Sequence, residues 1–252
     1  WLRAVAPDDF DSLIKQPWFQ SLAEKGSPSE NSDADPVTEE LIRHWSSGGW
    51  QLVSISARII DVARFNAMLD QSGNKADILS DSTCELAINL AMRSYNKTDK
   101  AIMIQSDRFG GRAYYAGLIQ HHCPDYNVQA VVESSQSSRY RLIHSLPAQP
   151  TKPASRTGDK KSCPPAIEWA FNVNGDSFPP VAMSSIIAKS TRERLMGLLN
   201  RYFQAQTARY PSLGKKLKPT AGYTVDANRF LHDISPYRIE AGIDDKILIR
   251  KK

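Results

Sequence analysis

The sequence predicts an α/β fold in which a central mixed sheet is flanked by helices. From about residue 81 onward, segments with helical spacing of apolar residues alternate with short apolar or β-branched segments. Two of the predicted strands lead into an aspartate, Asp107 and Asp176, and sheets of this class place their sites at the carboxyl ends of strands. No apolar run is long enough to predict a transmembrane helix or a membrane partner.

The first part of the chain predicts helices and one strand. A short helix is expected around Asp11–Leu22, and a Ser-, Asp- and Pro-rich loop at Gly26–Pro36 precedes a helix that begins near Thr38. Trp50–Asp61 combines alternating and continuous apolar residues with β-branched side chains, which predicts a strand.

The middle and the end of the chain predict the alternation of strands and helices. Asp81 is a suitable N-cap for the helix CELAINLAMRSY. A strand at Ala101–Ile104 follows, and the sequence RAYYAGLIQHH predicts the next helix. The remaining predicted elements are a strand at Asp125–Glu133, its hairpin partner at Arg139–His144, a loop at Pro147–Pro165, a strand at Ile167–Val173 and a long helix at about Ser184–Ala208.

Composition is that of a soluble globular protein, and we expect one domain over residues 1–252. Three widely spaced cysteines, Cys84, Cys123 and Cys163, form neither a disulfide framework nor a zinc pattern, so a reducing cytoplasm is expected. The net charge is +5, and residues 176–252 hold 14 Lys and Arg against 7 Asp and Glu. A localised basic region suits a phosphate backbone; a solvated basic surface is the alternative.

The stretch GDSFPPVAMSSIIAKSTRERLM joins a carboxylate to a basic helix. Asp176 is followed by a Pro-Pro stop and by a predicted helix whose first turns carry Ser184, Ser185, Lys189 and Arg192. Helix N-termini bind anions such as phosphates. A carboxylate beside such a site usually implies a bridging metal ion.

This stretch resembles the type 2 ribonucleases H (ribonuclease HII). In that family a Gly-Asp or Ala-Asp is followed by Ser-Ile-Ile-Ala-Lys and then by Thr-Arg-Asp/Glu-Arg. The matching residues here are Gly175-Asp176, Ser185–Lys189 and Thr191–Arg194, and three further segments resemble the family in the same order, Trp50–Met68, Ala101–Gly111 and Thr220–Phe230. The resemblance implies a ribonuclease H-like fold and a metal-dependent endonuclease that cuts the RNA strand of RNA/DNA hybrids.

The sequence also departs from the family. The family's opening Asp-Glu-Ala-Gly strand, which supplies two of its four metal-binding carboxylates, has no match. Because the sequence begins at Trp1 rather than Met, we expect a piece of a longer protein that lacks its first strands and has little activity alone; an inactive homologue is the alternative. The gap between Asp107 and Asp176 is longer than in the family, which predicts an inserted segment at about 124–166.

The resemblance implies that Asp107 and Asp176 are catalytic metal ligands. Mg²⁺ or Mn²⁺ is expected because these ions prefer hard oxygen ligands. Two such ions would position the attacking water and neutralise charge on the phosphodiester. A lone Asp after a strand is otherwise more often a turn residue or a helix cap.

Further candidates flank these aspartates. Glu133 could be another ligand, or it could pair with Arg139 to stabilise a hairpin. Arg108, Gly110 and Gly111 would let a phosphate approach the backbone, or they form a simple turn.

Lys189, Arg192 and Tyr223 match family positions next to the nucleic acid. Lys189 and Arg192 are three residues apart on one predicted helix face, and the alternative is an exposed helix flank. Tyr223 would pack against the sugar next to the cut, and the alternative is a tyrosine of the core.

Two other functions compete with this leading hypothesis. One is a catalytically inactive ribonuclease H-like module that binds nucleic acid or a protein. The other is a nuclease of the same fold that acts on DNA. An Asp-Glu pair in residues upstream of Trp1 would favour the enzyme over the binding module.

Overall fold

The computed structural model describes residues 2–24, 36–98, 101–145, 166–214 and 216–251. Its helices and strands are α1 (Leu2–Val5), α2 (Pro7–Leu13), α3 (Ser21–Glu24), α4 (Pro36–Ser47), α5 (Val62–Ser72), α6 (Lys75–Thr98), β1 (Ile102–Asp107), α7 (Ala116–His122), β2 (Tyr126–Glu133), β3 (Ser137–His144), β4 (Ile167–Asn172), α8 (Pro179–Arg209), α9 (Thr224–Glu240) and α10 (Asp245–Leu248). Short 3-10 turns lie at Pro17–Phe19, Gly175–Ser177 and Pro211–Leu213. The predicted α/β class is confirmed, and a mixed sheet flanked by helices is consistent with the expected ribonuclease H-like arrangement.

The sequence predicts a single domain, and the structure groups the chain into two compact units. One unit comprises residues 1–75 and 187–252, here called the helical unit, and the other comprises residues 76–186, here called the sheet unit. The predicted loop at Pro147–Pro165, with Cys163, lies outside the described residues. So does the loop at Gly26–Pro36, except for Pro36, which begins α4.

The helical unit has an aromatic core. Trp18 stacks on Phe203 of α8 with ring centroids 6.5 Å apart.

The helix α5 begins after Asp61, whose carboxylate accepts a hydrogen bond from the Arg64 N–H at 2.8 Å, and it ends at Gly73 in the left-handed conformation. Both ends of this helix are therefore capped in the usual way.

The prediction of a strand at Trp50–Asp61 is wrong, because the segment forms neither a strand nor a helix up to Asp61. Its backbone bonds to other parts of the helical unit instead. The Ile59 N–H donates to the buried carboxylate of Asp9 at 2.6 Å, and the Ala57 N–H donates to the Val5 carbonyl at 2.7 Å. Buried N–H groups need partners, and these bonds take the place of a strand ladder.

Several predicted helix boundaries are also wrong; α7, for example, begins at Ala116 rather than at Arg112. α6 begins at Lys75 rather than after Asp81, and the helix predicted at Asp11–Leu22 is divided between α2, a 3-10 turn and α3. α8 begins at Pro179 instead of near Ser184. Proline is tolerated at the first helical positions because an N–H there has no partner within the helix.

The sheet unit contains a four-stranded sheet in the order β1-β4-β3-β2. β1 runs parallel to β4, with Asp107 opposite Asn172, whereas β3 is antiparallel to both β4 and β2. β1, β2 and β4 therefore end at the same edge of the sheet. The segment at about 124–166, predicted to be an insertion, contributes β2 and β3 and so half of the strands.

One face of the sheet is buried against α6 and α7. Its core consists of fully buried side chains that pack together, including Tyr115, Ile119, Tyr140, Leu142, Ile167, Trp169 and Phe171. Successive strand residues point to opposite faces. The intervening residues, such as Met103 and Arg139, therefore form a second face, and both of these side chains are exposed.

Candidate functional site

Two predicted metal ligands lie at the edge of the sheet where β1 and β4 end. Asp107 is the last residue of β1, and its Oδ1 accepts a hydrogen bond from the Gly175 N–H at 3.1 Å. Asp176 follows directly in the 3-10 turn after β4. Both aspartates are exposed. We call the sheet edge that carries Asp107, Asp176 and Glu133 the acid edge.

The contact between β1 and the turn after β4 requires a glycine. A Cβ at Gly175 would lie 2.8 Å from the Asp107 Cα and 3.0 Å from its Oδ1. Asn174, just before it, has a φ of 55°, a left-handed conformation that asparagine tolerates better than most residues. The sequence Asn-Gly-Asp therefore turns the chain at the end of β4 and presses its backbone against Asp107.

Glu133 reaches the acid edge as the last residue of β2. Its Oε1 accepts a hydrogen bond of 2.5 Å from the Tyr140 hydroxyl, and the Tyr140 oxygen accepts one of 2.9 Å from the Tyr115 N–H. Burial, reinforced by the Glu133 carboxylate, raises the pKa of Tyr140 to about 12. Tyr140 thus stays protonated and holds Glu133. Glu133 and Arg139 form no ion pair, although the structure describes both.

The acid edge offers few ligands for a metal ion. Asp107 and Asp176 supply carboxylate oxygens, and Mg²⁺ is commonly bound through one or two carboxylates together with waters and substrate phosphates. Within the described ranges, no three His, Cys, Asp or Glu side chains are grouped so that they could hold a metal ion. These two aspartates therefore do not by themselves form a two-metal cluster.

Arg108 clamps the turn between β2 and β3. Its Nη1 donates to the Ser135 carbonyl at 2.5 Å, and its Nη2 donates to the Ser134 carbonyl at 2.5 Å and to Ser138 Oγ at 3.1 Å. A phosphate at this position would have to displace these bonds. The guanidinium instead ties the chain after β1 to the hairpin beside Glu133.

Gly110 and Gly111 form an exposed turn after β1. Gly111 has a φ of 77°, which glycine adopts without strain, and the Arg112 N–H donates to the Phe109 carbonyl at 3.0 Å. A Cβ at either glycine would meet nothing within 4 Å. The conformation accounts for Gly111 as a turn residue, and the open space leaves the backbone accessible to a ligand.

Arg192 and Tyr223, in the helical unit, contact each other. The Arg192 guanidinium lies 3.9 Å from the ring centroid of Tyr223, and its Nη2 donates to the Ala221 carbonyl. Such a cation–π contact orients both groups. Tyr223 is 61% exposed, so it is not a tyrosine of the core. Lys189 is exposed on α8.

The expected anion-binding helix start near Ser184 is wrong. α8 already begins at Pro179, and the Ser184 hydroxyl donates to the Pro180 carbonyl at 2.8 Å within the helix. Pro179 and Pro180 have no N–H to offer an anion. Lys189 and Arg192 therefore lie well inside the helix rather than at its start.

Sequence reasoning missed four residues near the acid edge. Tyr140 holds Glu133, and Met103, Gln105 and Asn172 lie on the exposed face of the sheet. The segment IMIQSD is apolar in its first half and polar in its second, so no alternation in the sequence marks two different faces of this strand. The predicted strand at Ala101–Ile104 therefore gave no indication of the exposed face that carries Met103 and Gln105.

Cys84 and Cys123, the two cysteines among the described residues, are buried free thiols. Burial raises the pKa of Cys84 to about 12 and that of Cys123 to about 11. Because the thiolate is the reactive form, neither is a candidate nucleophile.

Comparisons with known proteins identify no relative of this chain. No family model, no curated protein and no solved structure matches it.

None of the helices in the described ranges combines the length and the apolar composition that crossing a membrane requires.

Proposed function

We propose that the protein is a metal-dependent endonuclease that resembles ribonuclease HII and hydrolyses the RNA strand of RNA/DNA hybrids. The observation that carries this proposal is the hydrogen bond between Asp107 and Gly175. It joins two segments that resemble the family, Ala101–Gly111 and the stretch beginning at Gly175. Segments distant in the chain meet at one sheet edge, as residues of a shared site must.

Each acid at this edge has a role in the proposal. Asp107 and Asp176 bind Mg²⁺ or Mn²⁺, which supplies charge neutralisation on the phosphate and lowers the pKa of a bound water. Glu133, held by Tyr140, presents a carboxylate at the same end of the strands that accepts a hydrogen bond from water. Their exposure leaves them open to a substrate as large as a duplex.

Binding of the nucleic acid involves the basic part of the chain in this proposal. Arg192 supports the exposed ring of Tyr223, and such a ring offers a surface for a sugar or a base. Lys189 adds a positive charge on α8. The 2′-hydroxyl is the group that distinguishes RNA from DNA.

The test is cleavage of a labelled RNA/DNA hybrid by the protein at its native length, with Mg²⁺ or Mn²⁺. Asp107→Asn and Asp176→Asn each remove one carboxylate charge and should abolish cleavage of the RNA strand. Asp125→Asn is the matched control, because Asp125 is exposed in the same unit just before β2, away from the acid edge. It should cleave like the unmodified protein. Activity that survives both acid-edge substitutions would refute the site.

A second candidate is a binding module without catalysis. It is favoured by the lack of three suitably grouped metal ligands in the described residues. Salt-sensitive binding of the hybrid without cleavage in either metal would establish the module and exclude the enzyme. Cleavage of an all-DNA duplex in the same assay would instead favour a nuclease that acts on DNA.

A further inference from the structure

The exposed face of the sheet carries an open pocket of about 330 Å³. It is lined by Met103 and Gln105 of β1, Arg139 of β3, Asn172 of β4 and Phe178. Met103 is 57% exposed, although it lies within a strand. Sites for small ligands usually combine apolar walls with a few polar groups, as this pocket does.

Two polar groups at the pocket lack direct partners in the part of the chain that the structure describes. Gln105 Oε1 is buried and accepts no hydrogen bond, whereas buried polar atoms are normally paired. Among the described residues, no direct hydrogen bond or ion pair engages the Arg139 guanidinium, although the hydrogen bond from Arg141, together with the charges of both arginines, lowers the pKa of Glu168. Arg141, on the same strand and face, instead donates to Glu168 at 2.8 Å. The pocket therefore combines a glutamine amide whose oxygen is unsatisfied with an arginine whose guanidinium makes no direct contact with an anion.

A nucleotide carries polar base edges that could pair with Gln105 and a phosphate that could pair with Arg139. Glutamine side chains bind base edges, and arginine forks onto phosphate oxygens. Met103 and Phe178 supply apolar surface for the flat base. A base can reach such a pocket only when it is unpaired and unstacked, which is how single strands are usually read.

The pocket also lies next to the acid edge. Gln105 and Asp107 are two residues apart on β1, so they face the same side and their Cα atoms are about 7 Å apart. Asn172, which lines the pocket, is opposite Asp107 in the parallel register. A strand with one phosphate at the acid edge would thus place a neighbouring nucleotide over the pocket.

We infer that this pocket binds one unpaired nucleotide of a nucleic-acid strand, with Gln105 contacting the base and Arg139 the phosphate. The inference rests on the proposed nuclease function, because that function places the strand at the acid edge. It adds a subsite on the face of the sheet, which the resemblance to ribonuclease HII does not include.

The test is the affinity of a fluorescently labelled single-stranded oligonucleotide for the full chain, measured by anisotropy in EDTA. Arg139→Ala should weaken binding by roughly tenfold. Arg141→Ala is the matched control, because it removes the same charge from the same face but from an existing ion pair. It should weaken binding much less. Equal losses in the two variants would overturn the inference, since only net charge would then matter.

Two further measurements address the ligand. Gln105→Leu keeps the side-chain size and should reduce the differences in affinity among homopolymeric oligonucleotides of different bases. Unchanged differences would overturn base contact by Gln105. A free nucleoside monophosphate should compete poorly with the oligonucleotide. Competition as strong as that of the oligonucleotide would overturn the assignment to a strand.

Failure of this inference is distinguishable from failure of the proposed function. Selective loss of binding in Arg139→Ala without any cleavage by the unmodified protein would keep the pocket and exclude the nuclease. Normal cleavage with equal binding losses in the two arginine variants would keep the nuclease and exclude the pocket.

Discussion

The backbone N–H of Gly175 donates to Oδ1 of Asp107 across the parallel strands β1 and β4. The contact leaves no room for a side chain at position 175, since an added Cβ would lie 2.8 Å from the Asp107 Cα. The close approach of the turn that carries Asp176 to Asp107 therefore requires a residue without a side chain at position 175.

Gly175→Ala should destabilise the sheet unit and abolish the proposed cleavage. The added methyl meets backbone, which cannot move aside like a flexible side chain, and overpacking of this kind costs about 1 to 3 kcal/mol of unfolding free energy. Urea unfolding measures the loss. Gly117→Ala in α7 is the control, because a Cβ there meets nothing within 4 Å and alanine favours a helix. A Gly175→Ala protein as stable as the control would contradict the close contact.

Arg108→Lys should loosen the turn between β2 and β3. Lysine cannot reproduce the fork that reaches Ser134, Ser135 and Ser138, and the lost bonds should cost about 1 to 2 kcal/mol. Hydrogen exchange at Ser134–Ser138 should become faster. Arg139→Lys, the same change at a guanidinium that makes no direct hydrogen bond to this turn, should leave exchange in the turn unaltered. Unchanged exchange in Arg108→Lys would show that the clamp contributes nothing.

Tyr140→Phe should lower the free energy of unfolding by about 1 to 2 kcal/mol near neutral pH, because it removes two buried hydrogen bonds. The native pKa of Tyr140 is raised to about 12, above its ordinary value near 10. Its contribution is therefore complete below pH 10 and is lost as the pH rises from 10 through about 12. The stability difference between the two proteins should shrink over that range.

Urea unfolding at several pH values tests this difference. Tyr114→Phe is the control, since Tyr114 is 71% exposed, and it should match the unmodified protein at each pH. A difference between Tyr140→Phe and the unmodified protein that stays constant up to pH 12 would contradict the assigned role of the phenol.

Asp226→Asn should reduce stability at neutral pH and flatten its fall in acid. Hydrogen bonds from Thr220, Arg229 and the Ala221 N–H hold the pKa of Asp226 well below its ordinary value near 4. A depressed native pKa stabilises the fold above the ordinary value, and this contribution is lost as the pH falls below it. Acid unfolding of the variant should therefore depend less steeply on pH below about 4.

Glu193→Gln is the control for this substitution, because Glu193 is an exposed carboxylate on α8. It should keep the acid response of the unmodified protein. If Asp226→Asn and Glu193→Gln flattened the acid dependence of stability equally, that dependence would reflect net charge rather than the hydrogen bonds of the Thr220–Asp226 turn.

The sequence predicted the sheet well because its signals are local. Apolar alternation located the β2–β3 hairpin, and the apolar segments before Asp107 and Asp176 located β1 and β4. The same reasoning failed at Trp50–Asp61, where β-branched residues suggested a strand. The conformation of that segment depends on residues distant in the chain, since its N–H groups bond to Asp9 and Val5.

The candidate site was predictable only in part. The ends of β1 and β4 indicated that Asp107 and Asp176 share an edge, and the structure brings Asp107 against the neighbour of Asp176. The engagement of Arg108 with a serine turn and of Glu133 with Tyr140 depends on pairing between strands. No spacing within one segment of the sequence encodes those contacts.

The strand order has a consequence for how the protein is made. β1 is synthesised before β2 and β3, yet its neighbour in the sheet is β4. Hairpins such as β2–β3 close short loops and form quickly, whereas pairing between distant segments is slow. On a chain emerging from the ribosome, β1 must wait for residues 167–172 before it has a partner. We therefore expect the acid edge to assemble late, so that an incompletely synthesised chain carries Asp107 but no site.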